Sequence, residues 1–475
     1  AVSGEGYLVV GADSDDDAGL QSGAAYIYNL TDDGLWNLVQ KIVAPDAAGG
    51  DWFGHAVAIS GNHLVVGALG DDDDDGGGTN QGSVYFYNLT DGSATWNFVQ
   101  KIVAPDAEAN DEFGSSVAMS GNHLVVGSYG DDHDAGSVYL YNLTGGGAWD
   151  YVQKLVASDA TTSDDFGWSV AIFANHVVVG APGDDGDRGA AYIFRTSDGG
   201  DSWVQILKVV ADDGAADAWF GGSVAIDGNT IVVGANYRSE AYIFVLSEGH
   251  WTQVQKIVAP FLGFGASVVV SGNTVVVGAP WDDDNSGSAY VYTTNGTTWE
   301  LSQKLVASDA FSLDEFGFRV ALSGDIIVVG AHDDDASRGS VYIYTWEYCA
   351  EMAMSDAAGD GWNGAFYTFT SATSGEVVAT GTLALGANAS DEVCLLDGCY
   401  MLEVVGDLDE EISWTFAITS GGAPYGPTEI FLNSGDLSEG MCPTLSPTAP
   451  TASPTPPPTP SPTLSPTGST VVDAA

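Results

Sequence analysis

Short apolar stretches separated by turn residues recur along most of the chain, and they lack the spacing of an amphipathic helix. In a representative segment, residues 56–59 and 64–66 are apolar and flank the tight turn Ser60-Gly61-Asn62. Residues 83–87 alternate as a half-buried strand does, and residues 96–103 form a longer strand. The pattern therefore predicts a unit of four short antiparallel strands.

This unit repeats through residues 1–346. A Val-Val-Gly-Ala sequence at residues 9–12 precedes the first Phe-Gly pair and recurs inside later units, so the units number seven. The Phe-Gly pairs begin at Phe53, Phe113, Phe166, Phe220, Phe264 and Phe316. Four strands per unit are typical of a propeller blade, whereas β-helix coils are shorter and a β-sandwich gives no reason for seven repeats. We expect an all-β fold with a seven-bladed β-propeller over residues 1–346.

The two ends of the repeat array are incomplete. The first unit has only Ala1 and Val2 where an inner strand is expected, and the last unit lacks the Trp…Gln-Lys outer strand. A closed ring needs its last blade completed. We therefore expect residues upstream of Ala1 to supply that outer strand.

The remainder of the chain has a different composition. Residues 347–442 are predicted to form a small disulfide-bonded, β-rich domain, because all four cysteines lie there, at Cys349, Cys394, Cys399 and Cys442. Three pairings are possible, and Cys349 with Cys442 would join the domain ends. Residues 443–475 are rich in Pro, Ser and Thr, which predicts a disordered stalk.

Acidic residues dominate the charge, with 65 Asp plus Glu against 11 Lys plus Arg and a formal net charge of −54. Such a chain repels nucleic-acid phosphates and anionic lipid surfaces, so we expect no nucleic-acid partner. No apolar run is long enough for a membrane span. The cysteines indicate an extracellular protein, secreted or at the cell surface. N-glycosylation sequons agree, at Asn29, Asn88, Asn142, Asn295 and Asn388.

One lysine ends the outer strand of each of six units. This repetition favours a structural ion pair between blades, with the acidic turn that follows each lysine, over six catalytic amines. The lysines are Lys41, Lys101, Lys154, Lys208, Lys256 and Lys304. The tryptophan that recurs at the start of the same strands is expected to pack between blades.

Aspartate clusters recur in the loop between the second and third strands. Carboxylates at alternate positions near glycine suit calcium, so these loops are predicted to bind it, with a solvated acidic rim as the alternative. The candidate ligands are Asp13, Asp15, Asp17, Asp71, Asp73, Asp75, Asp132, Asp134, Asp185, Asp187, Asp282, Asp284, Asp333 and Asp335. Asp71, Asp73 and Asp75 resemble the start of an EF-hand loop, but no glutamate closes it.

The Phe113-Gly114 start and the Val-Val-Gly-Ala-Pro sequence at residues 178–182 resemble the two ends of the FG-GAP repeat. The resemblance covers residues 1 to about 346 and implies a propeller similar to the head of integrin α subunits, which mediate adhesion and bind calcium. The integrin calcium loops lie between the first two strands, where this chain has short turns. Those sites therefore do not transfer to this chain.

The sequence contains no Ser-His-Asp, Cys-His or zinc signature, and most of its notable polar residues are repeated, unlike the residues of an active site. We expect a non-enzymatic recognition or adhesion module for a protein or glycan, dependent on calcium. A structural wall or matrix component is one alternative. A secreted propeller lyase or glycosidase is another; it needs a blade-specific carboxylate, and Asp227 and Asp325 lie in predicted turns.

Overall fold

The computed structural model describes residues 1–345, apart from 32–33, 73–78, 91–94, 214–215 and 295, and beyond them the backbone of the strands given below. The chain divides into two compact units. One contains Ala1–Ile343 and Ser469–Ala475, and the other contains Tyr344–Gly468.

The repeats form antiparallel blades in which sequential strands are neighbours. Blade one contains β1 (Tyr7–Ala12), β2 (Ala24–Leu30) and β3 (Trp36–Ile42). Blade two contains β4 (Phe53–Ser60), β5 (His63–Ala68), β6 (Ser83–Leu89) and β7 (Trp96–Ile102). Blade three contains β8 (Ser116–Ser120), β9 (His123–Ser128), β10 (Ser137–Leu143) and β11 (Trp149–Leu155). Blade four contains β12 (Ser169–Phe173), β13 (His176–Ala181), β14 (Ala190–Arg195) and β15 (Val204–Val209).

The last three blades continue the pattern. Blade five contains β16 (Phe220–Asp227), β17 (Thr230–Ala235), β18 (Glu240–Ser247) and β19 (His250–Val258). Blade six contains β20 (Ser267–Ser271), β21 (Thr274–Ala279), β22 (Ser288–Thr294) and β23 (Trp299–Leu305). Blade seven begins with β24 (Phe316–Ser323), β25 (Ile326–Ala331) and β26 (Ser340–Thr345). The prediction of seven blades is confirmed.

Helical structure in the described residues is confined to single turns between the second and third strands. These turns are α1 (Asp131–Asp134), α2 (Asp184–Asp187), α3 (Asp334–Ser337) and the 3₁₀ segment Asn236–Arg238. Among the described residues, no helix has the length and apolar character that a membrane crossing requires.

The second unit contains two antiparallel sheets. One pairs β27 (Tyr348–Asp356) with β30 (Asn388–Leu395) and β32 (Ile412–Phe416), which is followed by β33 (Thr419–Gly422). The other contains β28 (Phe366–Ser371), β29 (Val377–Gly381), β31 (Gly398–Val405), β34 (Thr428–Asn433) and β35 (Asp436–Glu439). The backbone register sets Cys349 opposite Cys394. Cys442 and residues 443–469 lie outside the described residues, so the disulfides and the stalk stay predictions.

The fourth strand of blade seven comes from the end of the chain. Strand β36 (Thr470–Asp473) pairs antiparallel with β26, with Val471 opposite Tyr342. This differs from the expectation that residues upstream of Ala1 occupy this edge, and it places these four residues in the propeller unit. The physical reason is composition, since two adjacent β-branched valines suit a strand, whereas the prolines before them cannot donate the hydrogen bonds of a sheet.

The core lies between neighbouring blades. Phe53, from the Phe-Gly pair of blade two, is fully buried and packs edge to face on Tyr85, with ring centroids 5.4 Å apart. The same cluster contains Ile27 of blade one and Trp96 of blade two. The side-chain amide of Gln40 in blade one also bonds the backbone of Trp96 in both directions. The repeated Phe, Tyr and Trp are therefore packing residues, as predicted for the tryptophans.

The glycines of the two motifs meet where neighbouring blades approach. A Cβ atom on Gly234 of blade five would lie 2.1 Å from the carbonyl oxygen of Gly265 in blade six, and Gly265 itself has φ +95°. Five other blade junctions show the same clash at 1.8–2.1 Å. Both ends of the repeat motif are therefore fixed by close backbone contact between blades.

Candidate functional site

The loops between second and third strands lie at the same end of the propeller as the turns that connect one blade to the next. Lys101 demonstrates this, because its ammonium lies 2.8 Å from Asp46 in a connecting turn and 2.8 Å from Asp71 in a loop between second and third strands. We call this end the acidic end. The other end carries the short turns between first and second strands.

A lysine, a tyrosine and two carboxylates form a repeated network at the acidic end. In blade two, Lys101 lies opposite Tyr85 in the strand register, and the Tyr85 hydroxyl lies 2.7 Å from both Asp46 and Asp71, sharing its proton between them. Burial alone would raise the pKa of Asp46, but the hydrogen bonds from Lys101 and Tyr85 lower it overall. Ion pairs between blades are present, but with the turn that precedes the blade of each lysine and not with the turn that follows it. They are formed by Lys101, Lys154, Lys208 and Lys256. Lys41 and Lys304 pair with the loop of their own blade.

Blade seven departs from this network. Tyr342 donates to Asp309 at 2.7 Å and to Asp334 at 3.0 Å, as its equivalents do in other blades. Val471 stands opposite Tyr342, at the register position that lysine occupies in the other six blades. Strand β36 therefore completes the sheet of blade seven without its lysine.

Several of the predicted calcium ligands take part in this network. Asp15, Asp71 and Asp282 are the residues of their clusters that contact a lysine ammonium and a tyrosine hydroxyl. Asp17 also contacts Lys41, and Asp13 and Asp333 are half-buried beside histidines. The others that are described are exposed, namely Asp132, Asp134, Asp185, Asp187, Asp284 and Asp335. Asp73 and Asp75 lie outside the described residues, and calcium binding stays a prediction.

A row of aromatic side chains crosses four neighbouring blades at the acidic end. Ring centroids are 4.8 Å apart between Tyr129 and Trp168, and 5.4 Å apart between Trp168 and Trp219. Trp219 lies 4.8 Å from Tyr237, which lies 6.2 Å from Trp281. We call these five residues the aromatic row. Its rings form edge or tilted contacts that favour fixed positions.

Each residue of the row lies next to a repeat motif. Trp168 follows a Phe-Gly pair and Trp219 precedes one, where a first strand begins, while the other three follow the Gly-Ala or Gly-Ser end of a second strand. The first strands of neighbouring blades pack on one another and so surround the propeller axis. The row therefore lies near the mouth of the central channel.

The aromatic row is accessible to a ligand. Tyr237 is 52% exposed, and the other four side chains are half-buried. By contrast, the repeated outer-strand tryptophans Trp96 and Trp149 are each only 2% exposed. Packing within the blades therefore does not account for the row.

Carboxylates accompany the row. The Tyr129 hydroxyl bonds Glu112, and the Trp281 indole bonds Glu315 at the other end of the row. Burial raises the pKa of both carboxyls, and burial followed by the charges of Asp134 and Asp187 raises the pKa of Asp165 to about 6. Among the described residues, no lysine or arginine forms an ion pair with Glu112 or Asp165.

These carboxyls predict an unusual dependence of stability on pH. Burial raises the pKa of Asp51 and Asp111 to about 6, as it does for Asp165, so these groups bind protons more tightly when folded and oppose folding above that pH. Their protonation should stabilise the protein as the pH falls from 7 towards about 4, where the unfolded chain also binds these protons. Asp46 and Asp106 have lowered pKa values and lose their lysine pairs near or below pH 4. Urea unfolding should therefore show maximal stability between about pH 4 and 6.

The same measurement has a matched control. Asp165→Asn removes one of the raised carboxyls and should flatten the profile between about pH 4 and 7, whereas Asp106→Asn should act below about pH 4. Stability that falls steadily from pH 7 downward would contradict this assignment.

The aromatic row could not be identified from the repeat, because each unit contributes only one or two of its members. The signal was present as aromatic residues at positions that most other units fill differently, although Trp52 precedes Phe53 as Trp219 precedes Phe220, and Phe318 follows a Phe-Gly pair as Trp168 does. Blade two, for example, has Leu69 at the position of Tyr129, and blade six has Ala266 at the position of Trp168.

The described sequons lie at the ends of third strands, away from the acidic end. Asn29 and Asn88 are half-buried. The Asn142 amide donates to the Gly200 carbonyl at 3.1 Å, and its oxygen lies 2.7 Å from Nδ1 of His123. Asn295 lies outside the described residues, and only the backbone of Asn388 is described. Glycans at Asn29 or Asn88 would leave the aromatic row open.

Comparisons with known proteins agree with the geometry. The propeller resembles a proposed 6-phosphogluconolactonase from Bacteroides uniformis, with TM-score 0.52 and 10% identity over 82% of this chain and 99% of the other. A second proposed 6-phosphogluconolactonase, from Bacteroides fragilis, gives TM-score 0.50 and 9% identity over 86% and 99%. At such identities the likeness shows the fold alone, and no curated protein matches the sequence.

The family model of the FG-GAP repeat matches six segments that together span more than half of the chain. They are residues 36–87, 96–141, 149–194, 203–244, 251–292 and 299–344. Each segment starts at an outer strand and runs into the next blade, which reflects the contacts between blades described above. This protein belongs to the FG-GAP repeat family.

Proposed function

We propose that this chain is a non-enzymatic, extracellular recognition module that holds a protein or glycan ligand at the mouth of the propeller. The observation that carries the proposal is the aromatic row, which is accessible, spans four blades and is not explained by the repeat. Exposed aromatic rings next to polar groups are typical of binding surfaces.

The chemistry of the mouth restricts the ligand. Aromatic faces attract cations and the apolar faces of sugars. Glu112 has one buried oxygen without a hydrogen-bond partner among the described residues, and Asp165 carries no ion pair. Both carboxyls favour a ligand that donates hydrogen bonds. The negative charge of the chain would accelerate association with cationic partners and make it sensitive to salt.

Calcium would modulate ligand binding at the row. Exposed aspartates such as Asp134 and Asp187 lie close enough to Asp165 to affect its charge. A cation bound by these aspartates would weaken the negative field beside the row. Binding is therefore to be measured with calcium and with a chelator.

The experiment compares ligand capture by four forms of the full chain on glycan and random-peptide arrays. The Trp168→Ala/Trp219→Ala double variant should bind the captured ligands at least about tenfold more weakly than the natural chain. The Phe98→Ala/Tyr151→Ala variant removes two exposed aromatics from outer strands and should bind normally. The row-adjacent variant Asp165→Asn should weaken cationic ligands selectively. Equal binding by the natural chain and the first variant would contradict the proposal.

A glycan-cleaving enzyme is the second candidate, because Asp165 supplies a carboxyl with a pKa of about 6 beside Trp168, at a position where blades three and seven have glutamate. Such a group suits general acid catalysis near neutral pH. Release of reducing ends from a polysaccharide panel, abolished by Asp165→Asn, would establish it. Calcium-dependent self-association without a distinct ligand would instead favour a structural matrix component.

A further inference from the structure

A mixed cluster of one histidine and two carboxylates lies on blade seven, outside the aromatic row. Its ligand atoms, on Glu315, His332 and Asp333, all lie within 4.8 Å of one another. The Nδ1 atom of His332 is 3.5 Å from the Asp333 carboxylate and 3.9 Å from the Glu315 carboxylate. Ligands on one tetrahedral zinc ion, each about 2.0–2.2 Å from the metal, are separated by roughly 3.4 Å.

Blade three provides an internal comparison for this geometry. Glu112 and Tyr129 occupy the positions of Glu315 and His332, and there hydrogen bonding with the Tyr129 hydroxyl acts on the pKa of Glu112. In blade seven the imidazole nitrogen and the carboxylate are too far apart for such a bond. Their separation instead suits two groups that share an ion.

The backbone and a neighbouring ring hold the cluster in place. The Asp333 amide donates to the Asp314 carbonyl at 3.2 Å, which ties its loop to the turn that contains Glu315. The His332 ring stacks on Phe318 with centroids 4.6 Å apart and an interplanar angle of 22°. Because these contacts already order the side chains, ion binding would require little further ordering.

We propose that Glu315, His332 and Asp333 bind a first-row divalent metal ion, with zinc as the preferred natural ion. The imidazole nitrogen separates this site from a calcium site, because calcium prefers oxygen ligands whereas zinc accepts mixed nitrogen and oxygen ligands. Asp333 thus belongs to a different kind of site from the calcium loop predicted from sequence. Three protein ligands leave a coordination position for water or for an oxygen of a bound partner.

The surroundings add negative charge next to the cluster. The Asp13 carboxylate of blade one lies 3.0 Å from Nδ1 of His55, and the charge of His332 contributes to lowering the pKa of Asp13. A divalent ion on blade seven would offset the repulsion among these carboxylates. Glu315 lies beside Trp281 of the aromatic row, but none of the three ligands belongs to the row, so zinc titration tests this site separately from the proposed recognition function.

The test is calorimetric titration of the full chain with Zn²⁺ in a buffer containing millimolar Ca²⁺, which occupies non-specific acidic sites. We expect one saturable zinc site whose affinity falls by at least about tenfold in His332→Ala and in Glu315→Gln. His250→Ala, an exposed histidine on the outer strand of blade five, should bind as the natural chain does. Titrations are made below the melting temperature of each variant, so loss of folding is excluded.

Cu²⁺ electron paramagnetic resonance gives an independent measurement. A nitrogen hyperfine coupling should be present in the natural chain and in His250→Ala, and absent in His332→Ala. Zinc binding that calcium abolishes, or that the His332 and Glu315 variants retain, would overturn the proposal.

Discussion

Replacing Gly234 by alanine is expected to destabilise the propeller by about 3 kcal/mol or more. The new Cβ atom would lie 2.1 Å from the carbonyl oxygen of Gly265 in the next blade. That oxygen is backbone, so blades five and six would have to separate. Denaturant unfolding of the full chain, with the free energy extrapolated to water, measures the effect.

Gly330→Ala is the matched control. Gly234 and Gly330 both occur in the sequence Ile-Val-Val-Gly-Ala at the end of a second strand. The nearest atoms to a Cβ on Gly330 belong to Arg319, at 3.7 and 4.0 Å, which is ordinary contact. Its unfolding free energy should change by less than about 1 kcal/mol. Similar losses in the two variants would show that the contact between blades does not explain the motif.

Removing the charge of one repeated lysine is the second large effect. The Lys208 ammonium lies 2.8 Å from Asp184 and 2.7 Å from Asp159. Lys208→Gln removes this ammonium and leaves Asp184, which is only 5% exposed, next to Asp159. Two carboxylates then face each other with one of them buried. We expect a loss of about 2–3 kcal/mol of unfolding free energy at pH 7.

The same blade supplies the control for this change. Arg188→Gln breaks an ion pair with Asp185 in which both side chains are more than half exposed, and the cost should be below about 0.5 kcal/mol. Adding Asp184→Asn to Lys208→Gln should recover part of the stability, because the second variant removes the unpaired buried charge. If the lysine and arginine variants lost equal stability, the network would be a set of surface pairs.

The features of the fold that could be predicted from the sequence are those that recur in every unit. The spacing of Phe-Gly and Val-Val-Gly-Ala predicts the number of blades and the strands within each, because every copy must make the same contacts with its neighbours. The role of the lysines followed from the same repetition. Their exact partner did not, since a turn such as that of Asp46 contacts both blades that it connects.

Features that break the repeat were not predictable in this way. The aromatic row exists only after Tyr129, Trp168, Trp219, Tyr237 and Trp281 are brought together from four blades. The cluster of Glu315, His332 and Asp333 combines residues adjacent to both motifs of one blade. The closure of blade seven by β36 depends on a four-residue strand that lies more than a hundred residues from its partner.

Footprinting shows directly whether a ligand binds at the aromatic row. Hydroxyl-radical oxidation of the full chain, with and without the tightest ligand recovered from the arrays, should show protection at Trp168, Trp219 and Tyr237. The exposed outer-strand residues Phe98 and Tyr151 should be oxidised equally in both states. Protection of the outer strands with no change at the row would contradict the account.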